Sequence, residues 1–185
     1  MGFSLETLKQ HYDLEIHWRS FELRPAGSPP IPEEYKAKIL AARPNFEATM
    51  KKNLGVTINA GPWGINSRPS LIGHKIALEQ GAGDAYHNAT MRAYWELAQS
   101  IQETEVLAAI AEAAGMDRAA FVSALDDPKY DELVTADVME AYQGGIQAVP
   151  ASVFNMKYLL SGAHPIDTFI QVIEQVQKEM AAENG

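Results

Sequence analysis

The chain of 185 residues contains no cysteine, and that absence removes more chemistry than any residue present adds. Thiol–disulfide exchange, thiolate metal ligation and cysteine nucleophilic catalysis all begin with a sulfur that is missing here. Positive charge is scarce as well: 15 Lys and Arg stand against 24 Asp and Glu, for a formal charge of −9 and a pI near 5.0. Phosphate backbones and anionic lipid surfaces are bound through clustered cations, so neither nucleic acid nor membrane is an expected partner. No stretch approaches the roughly 18 uninterrupted apolar residues of a membrane span. Met1-Gly2-Phe3-Ser4 leads into a polar helix without the basic and apolar segments of a secretory signal, so the expected setting is cytoplasmic. Repeats and low-complexity tracts are also lacking, and 46% hydrophobic residues suffice for one core with a satellite subdomain.

The residues that remain for chemistry are thinly spread. Histidines stand at positions 11, 17, 74, 87 and 164, with no two at i, i+3 or i+4 on one helix face, so no metal site is expected. Ser4, Ser67, Ser70 and Ser152 lack the Gly-x-Ser-x-Gly elbow of a hydrolase. The acid pairs Glu33-Glu34 and Asp126-Asp127 flank prolines at element ends, where capping and solvent account for them. No catalytic residue and no cofactor is assigned.

Periodicity lays out the chain. Leu5, Leu8 and Tyr12 mark a short helix from Ser4 to Tyr12. From Leu14 to Leu23 apolar Leu14, Ile16 and Trp18 alternate with Glu15, His17 and Arg19, the pattern of a strand. Arg24 to Pro32 then holds four prolines in nine residues and reads as a stiff connector. Helical pieces follow at 33–42, 44–53, 69–80, 84–100, 103–114, 117–125 and 130–143, with Pro44 ending the first of them. Asp84, Thr104 and Asp117 are candidate N-caps, and Gly115 a candidate C-terminal glycine. After Gly144-Gly145, strands at 152–155 and 157–160 form a hairpin, and a helix at 165–182 closes the chain. Its turn, Asn155-Met156, puts methionine where a tight type I′ turn needs positive φ, so a longer loop is expected.

Four residues invite a functional reading beside a structural one. Pro150 opens a strand, where an ordinary trans bond is the common case. Trp63 sits among glycines in the loop Asn59 to Asn66, either stapling a subdomain to a sheet or roofing a cleft. Asn66 is equally an N-cap for a helix begun by Ser67-Arg68-Pro69. His74 is read as either a packing residue or a cleft residue.

Ala148-Val149-Pro150, followed by Phe154, Lys157-Tyr158, Ser161-Gly162-Ala163 and an amphipathic helix, resembles the closing half of DsbA-type thiol-disulfide oxidoreductases in their FrnE-like branch. Ile16 to Leu23 resembles that family's second strand, and Asn66-Ser67 with His74 resembles the start of a helix in its inserted helical domain. The resemblance implies an α/β, thioredoxin-like sheet with a large inserted helical subdomain: core at 1–30 and 145–185, insertion at 31–144. It implies a cis bond at Pro150 and a peptide or thiol substrate, glutathione included, held against Ala148, Val149 and Pro150, with Trp63, Asn66 and His74 as further candidate substrate-binding residues. The family's first strand and its Cys-x-x-Cys belong upstream of Leu5, so a truncated or redox-dead relative is the expectation. The sister reading is a glutathione-dependent isomerase similar to 2-hydroxychromene-2-carboxylate isomerase, and a third is a binding module without catalysis. With the central strand missing, Leu14–Leu23 and Ser152–Asn155 are expected to pair with each other, to take a strand from a second copy, or to leave the fold marginal. Homodimeric association is the favoured outcome.

Overall fold

The computed structural model describes residues 2–183. Met1, Asn184 and Gly185, included in the core expected at 1–30 and 145–185, lie outside the described residues. The elements are α1 Gly2–Lys9, α2 Glu33–Leu54, α3 Arg68–Glu79, α4 Gly83–Trp95, α5 Thr104–Ala113, α6 Arg118–Ala124, α7 Pro128–Gln143, β1 Ala151–Phe154, β2 Tyr158–Ser161 and α8 Ile166–Glu183. They divide between two compact units. One holds the chain up to Leu23 together with everything from Met139, and the other is Arg24–Val138.

The first unit is built on α8, whose apolar stripe buries Phe169 and Ile173 against Leu8 of α1. Phe154 of β1 meets the Phe169 ring at 5.8 Å, and Leu160 of β2 and Leu14 join the same cluster. Removing each such side chain from water contributes about 1.5–3 kcal/mol. The hairpin is also tied to α8 by Glu179, which accepts from Tyr158 Oη at 2.5 Å, from Gln175 at 2.6 Å and from Lys157. These donors, Lys157 foremost, hold the Glu179 carboxyl down at about 2.

Two expectations for this unit are corrected. Leu14–Leu23 keeps the alternation, with Leu14, Ile16 and Trp18 half-buried and Glu15, His17 and Arg19 exposed, but it is not a strand. Among the described residues the sheet contains only β1 and β2, so the direct pairing of Leu14–Leu23 with Ser152–Asn155 is absent. Alternation sets which side chains face the core, whereas a strand also needs a partner for its N–H and C=O groups. The second correction is the turn. Asn155 and Met156 both adopt left-handed backbone, φ 47° and 54°, and Lys157 N–H donates to Phe154 O at 2.9 Å. The strands pair as Ala151 with Ser161 through Phe154 with Tyr158, so the loop is tight rather than long. Met156 is 83% exposed, so its side chain escapes crowding, and only the backbone bears the cost.

In the second unit α3 to α6 enclose Ile76, Tyr86, Leu107, Ile110, Ala111 and Phe121. The closest approach is at Gly73, where an added Cβ would sit 2.1 Å from Tyr86 Oη and 2.9 Å from the Phe121 ring. Asp117 caps α6 as expected, accepting from Ala120 N–H at 2.7 Å. Gly115, φ 90°, closes α5: its N–H donates to Glu112 O, and that of Met116 donates to Ala111 O. Asp84 lies within the first turn of α4 and Thr104 begins α5, so neither is the capping residue. The break expected at Pro44 does not occur either, since α2 runs unbroken through it. Proline forfeits one hydrogen bond, to the Leu40 carbonyl, and on an exposed helix water serves that carbonyl instead. Helix α4 stops at Trp95 rather than at position 100, ahead of Ala98 at φ 56°.

Met156→Gly is expected to raise stability by about 0.5–1 kcal/mol, because glycine occupies left-handed backbone without the Cβ penalty. Gly73→Ala is expected to lower it by about 1–3 kcal/mol through overpacking against Tyr86 and Phe121. Urea unfolding midpoints at constant m-value measure both.

Candidate functional site

The segment that leads into β1 is placed by the end of α7. Gly145, φ 76°, donates to Tyr142 O and Ile146 to Ala141 O, which turns the chain out of the helix. Ala148, Val149 and Pro150 follow as exposed, irregular backbone, and the Val149–Pro150 bond is cis. Pro150 O accepts from Gly162 N–H at 2.8 Å, which fixes the hydrogen-bonding parity of the hairpin. In an antiparallel ladder such pairs alternate, so Ser152 and Phe154 turn their backbone groups to β2, and Ala151 and Val153 turn theirs away. Among the described residues no strand lies beyond β1, so its outer edge offers the N–H and C=O groups of Ala151 and Val153. Val149 and Val153, 47% and 46% exposed, add apolar surface there. An edge of this kind pairs with an extended chain.

The candidates in Arg24–Val138 fall into two places. Trp63 and Asn66 line a cleft of about 490 Å³ with the proline-rich connector, which contributes Arg24, Ser28 and Ile31, and with the first turn of α2, which contributes Glu33 and Lys36. Trp63 is 38% exposed. The N-cap of α3 is Ser67 rather than Asn66, which sits one residue ahead and accepts from Arg68 N–H through Oδ1 at 3.0 Å, while its own N–H donates to Gln102 Oε1 at 3.1 Å. His74 belongs elsewhere. It lies inside α3 at 7% exposure, its ring 5.9 Å from that of His87, and its Nε2 has no hydrogen-bond partner.

The environment of His74 explains its state. Burial, then the neighbouring His87 and Lys75, push its pKa down to about 4, against the opposing pull of Asp137 and Asp84. Burial also lowers His87, opposed by Asp84. Lys75 and Asp137, both at least 93% removed from solvent, form an ion pair beside them. Neither this pair nor the paired imidazoles was legible in the sequence, because their partners lie on different helices and carry no spacing signal. The Arg24 and Lys36 cations of the cleft were likewise missed, since the connector reads only as a proline tract and Lys36 as one charge of a solvated helix.

Taken together, these parts define a thioredoxin-like α/β domain carrying a helical insertion. The chain belongs to the DSBA-like thioredoxin domain family, which matches residues 2–174. It is 30% identical over 173 residues to the uncharacterised protein YwbO of Bacillus subtilis (strain 168), covering 90% of this chain and 84% of that one. A probable DsbA oxidoreductase from Streptomyces coelicolor superposes with a TM-score of 0.75 at 28% identity, over 87% of this chain and 74% of the other. A 2-hydroxychromene-2-carboxylate isomerase shares the fold with the same TM-score, 0.75, at 20% identity, over 97% of this chain and 88% of that enzyme.

The depressed His74 pKa has a testable sign. A histidine with its folded pKa below the unfolded value near 6.5 adds nothing to the cost of folding above that value. It destabilises as pH falls from about 6.5 toward 4, because the unfolded chain binds the proton first. His74 alone is expected to remove about 2 kcal/mol of stability between about pH 7 and pH 5. His74→Phe should flatten that slope in urea titrations repeated across the range.

Proposed function

We propose that this chain is a FrnE-like member of its family, acting in the cytoplasm. It holds an extended peptide or a thiol ligand, glutathione included, along Ala148, Val149 and Pro150, and performs no disulfide exchange itself. The observation that supports the reading is the unpaired outer edge of β1, with its outward N–H and C=O groups at Ala151 and Val153. A bound segment adds as a strand, main-chain hydrogen bonds providing affinity, while Val149 and Val153 favour apolar side chains at alternate positions. Exchange would need a thiolate, and the chain supplies none. In this reading the core comprises 1–30 and 145–185 and the insertion 31–144, where Trp63 and Asn66 offer a cleft of their own for a ligand and His74 supports the helical packing. A second reading, a glutathione-dependent isomerase, draws on the fold shared with 2-hydroxychromene-2-carboxylate isomerase.

The test uses fluorescent extended peptides and glutathione in equilibrium titrations. Val153→Pro removes one outward N–H without touching the ladder to β2, and is expected to weaken peptide binding by about tenfold. Insulin reduction should stay at the buffer rate. Absence of any peptide or glutathione binding up to millimolar concentration would overturn the proposal, and saturable glutathione binding unaffected by Val153→Pro would favour the isomerase reading.

A further inference from the structure

The cleft beside Trp63 lies wholly within Arg24–Val138, and its two cations are left without a close carboxylate. Elsewhere in that unit Arg43, Arg68, Arg118 and Lys129 each hold a carboxylate oxygen at 2.5–2.6 Å, and Lys75 is paired with Asp137. Among the described residues Arg24 donates only to the Pro29 carbonyl, and Lys36 comes no nearer than 3.8 Å to Glu33, whose own side chain is 88% exposed. Asn66 adds a third donor, since its Oδ1 is taken by Arg68 N–H and its Nδ2 has no partner among the described residues. Two cations against one outward carboxylate leave the lining positive, in a chain of formal charge −9.

The rest of the lining is largely apolar, with Trp63, Pro30, Ile31 and Ile65. Both walls are held by their own bonds. In the Trp63 loop Asn59 N–H donates to Trp95 O at 2.7 Å and Gly61 N–H to Tyr94 O at 2.6 Å, an approach so close that a Cβ at Gly61 would sit 2.6 Å from Gln99 O. The connector folds on itself at Ser28, whose N–H and Oγ both donate to Pro25 O, at 3.0 and 2.7 Å. Walls fixed in this way lower the ordering cost of binding.

Donors without carboxylates, set among apolar walls, suit one anionic head on an apolar body. The volume of about 490 Å³ is that of a small-molecule site. One net positive charge does not match a nucleotide polyphosphate, whose several charges would go largely unmet, whereas a carboxylate offers two acceptor oxygens to a guanidinium and an ammonium. We propose that this cleft binds an apolar monocarboxylate, its head on Arg24 and Lys36 and its body against Trp63. The head belongs to a free acid or to the C-terminus of a chain ending in apolar residues. The proposal rests on the reading of Trp63 and Asn66 as ligand residues and is independent of strand addition at β1.

Calorimetric titration with octanoate should give a Kd of about 0.01–1 mM, the range for a ligand of roughly ten heavy atoms. Octanamide, alike in size but uncharged, should bind about tenfold more weakly. Lys36→Gln and Arg24→Gln should each weaken octanoate about three- to tenfold, whereas Lys129→Gln, which removes a cation paired with Glu79, should not. Trp63→Leu should weaken octanoate and octanamide by the same factor, because the apolar body is common to both. A peptide ending in Leu-Leu, with a free or an amidated C-terminus, separates the two sources. Saturable octanoate assigns a free acid, and binding of the free-ended peptide alone assigns a chain end. Far-UV circular dichroism confirms that the variants stay folded. Absence of saturable binding by either carboxylate up to about 10 mM, equal affinity for the carboxylates and their amides, or full affinity in both Lys36→Gln and Arg24→Gln would each overturn the proposal. So would a carboxylate affinity lowered by Val153→Pro, which places the ligand at β1 instead.

Discussion

The constraint that the rest of the structure answers to is the obligation of extended backbone to find hydrogen-bond partners. The hairpin meets it on one side only. Its ladder runs from Ala151 with Ser161 to Phe154 with Tyr158, and beyond β1 no further strand follows among the described residues. What keeps such a short hairpin in place is therefore its other face, where Phe154 and Leu160 pack on α8 and Glu179 gathers Tyr158, Lys157 and Gln175. A two-stranded hairpin alone is marginal in water, and packing against a helix supplies what the missing ladder does not. The same one-sidedness leaves the groups of Ala151 and Val153 directed outward, so the stabilising contacts and the candidate binding edge sit on different parts of four residues.

The helical unit answers a different constraint, close packing around a polar pocket. Gly73 lets the Tyr86 hydroxyl approach the α3 backbone, which a methyl group would prevent. One residue further along, His74 faces His87, and beside it Lys75 and Asp137 neutralise each other away from water. The arrangement burdens the unit with groups whose charged forms are costly to bury. It also explains why His74 stays neutral: an imidazolium here would face a second imidazole and an ammonium, with the nearest carboxylate already committed.

Much of this was legible in the sequence, and the failures share a cause. Helix ends written in local chemistry were read correctly at Asp117 and Gly115, because a cap is decided within a few residues. Pro44 misled because propensity was taken without exposure, and an exposed helix tolerates a lost bond that a buried one does not. Leu14–Leu23 misled for the complementary reason, since its alternation is present but a strand is a property of two segments. Asn155-Met156 misled because the bias against methionine at positive φ is about 1–2 kcal/mol, less than the hairpin register can impose. Of the site residues, Ala148, Val149 and Pro150 could be placed from the turn and proline pattern. The burial of His74 could not, since nothing near it in sequence names His87, Lys75's partner or the Tyr86 ring.

Disulfide exchange combines two things, recognition of an extended segment and attack on its sulfur, and the two depend on different parts of a chain. Recognition depends on backbone groups, and backbone groups are independent of side-chain identity, so an edge such as β1 survives any substitution that preserves its register. Attack depends on one atom with a lowered pKa, and is lost with that atom. The two requirements are therefore separable in a fold whose exposed edge is its own main chain. Beside that edge the side chains are the exposed Val149 and Val153, which give it an apolar flank.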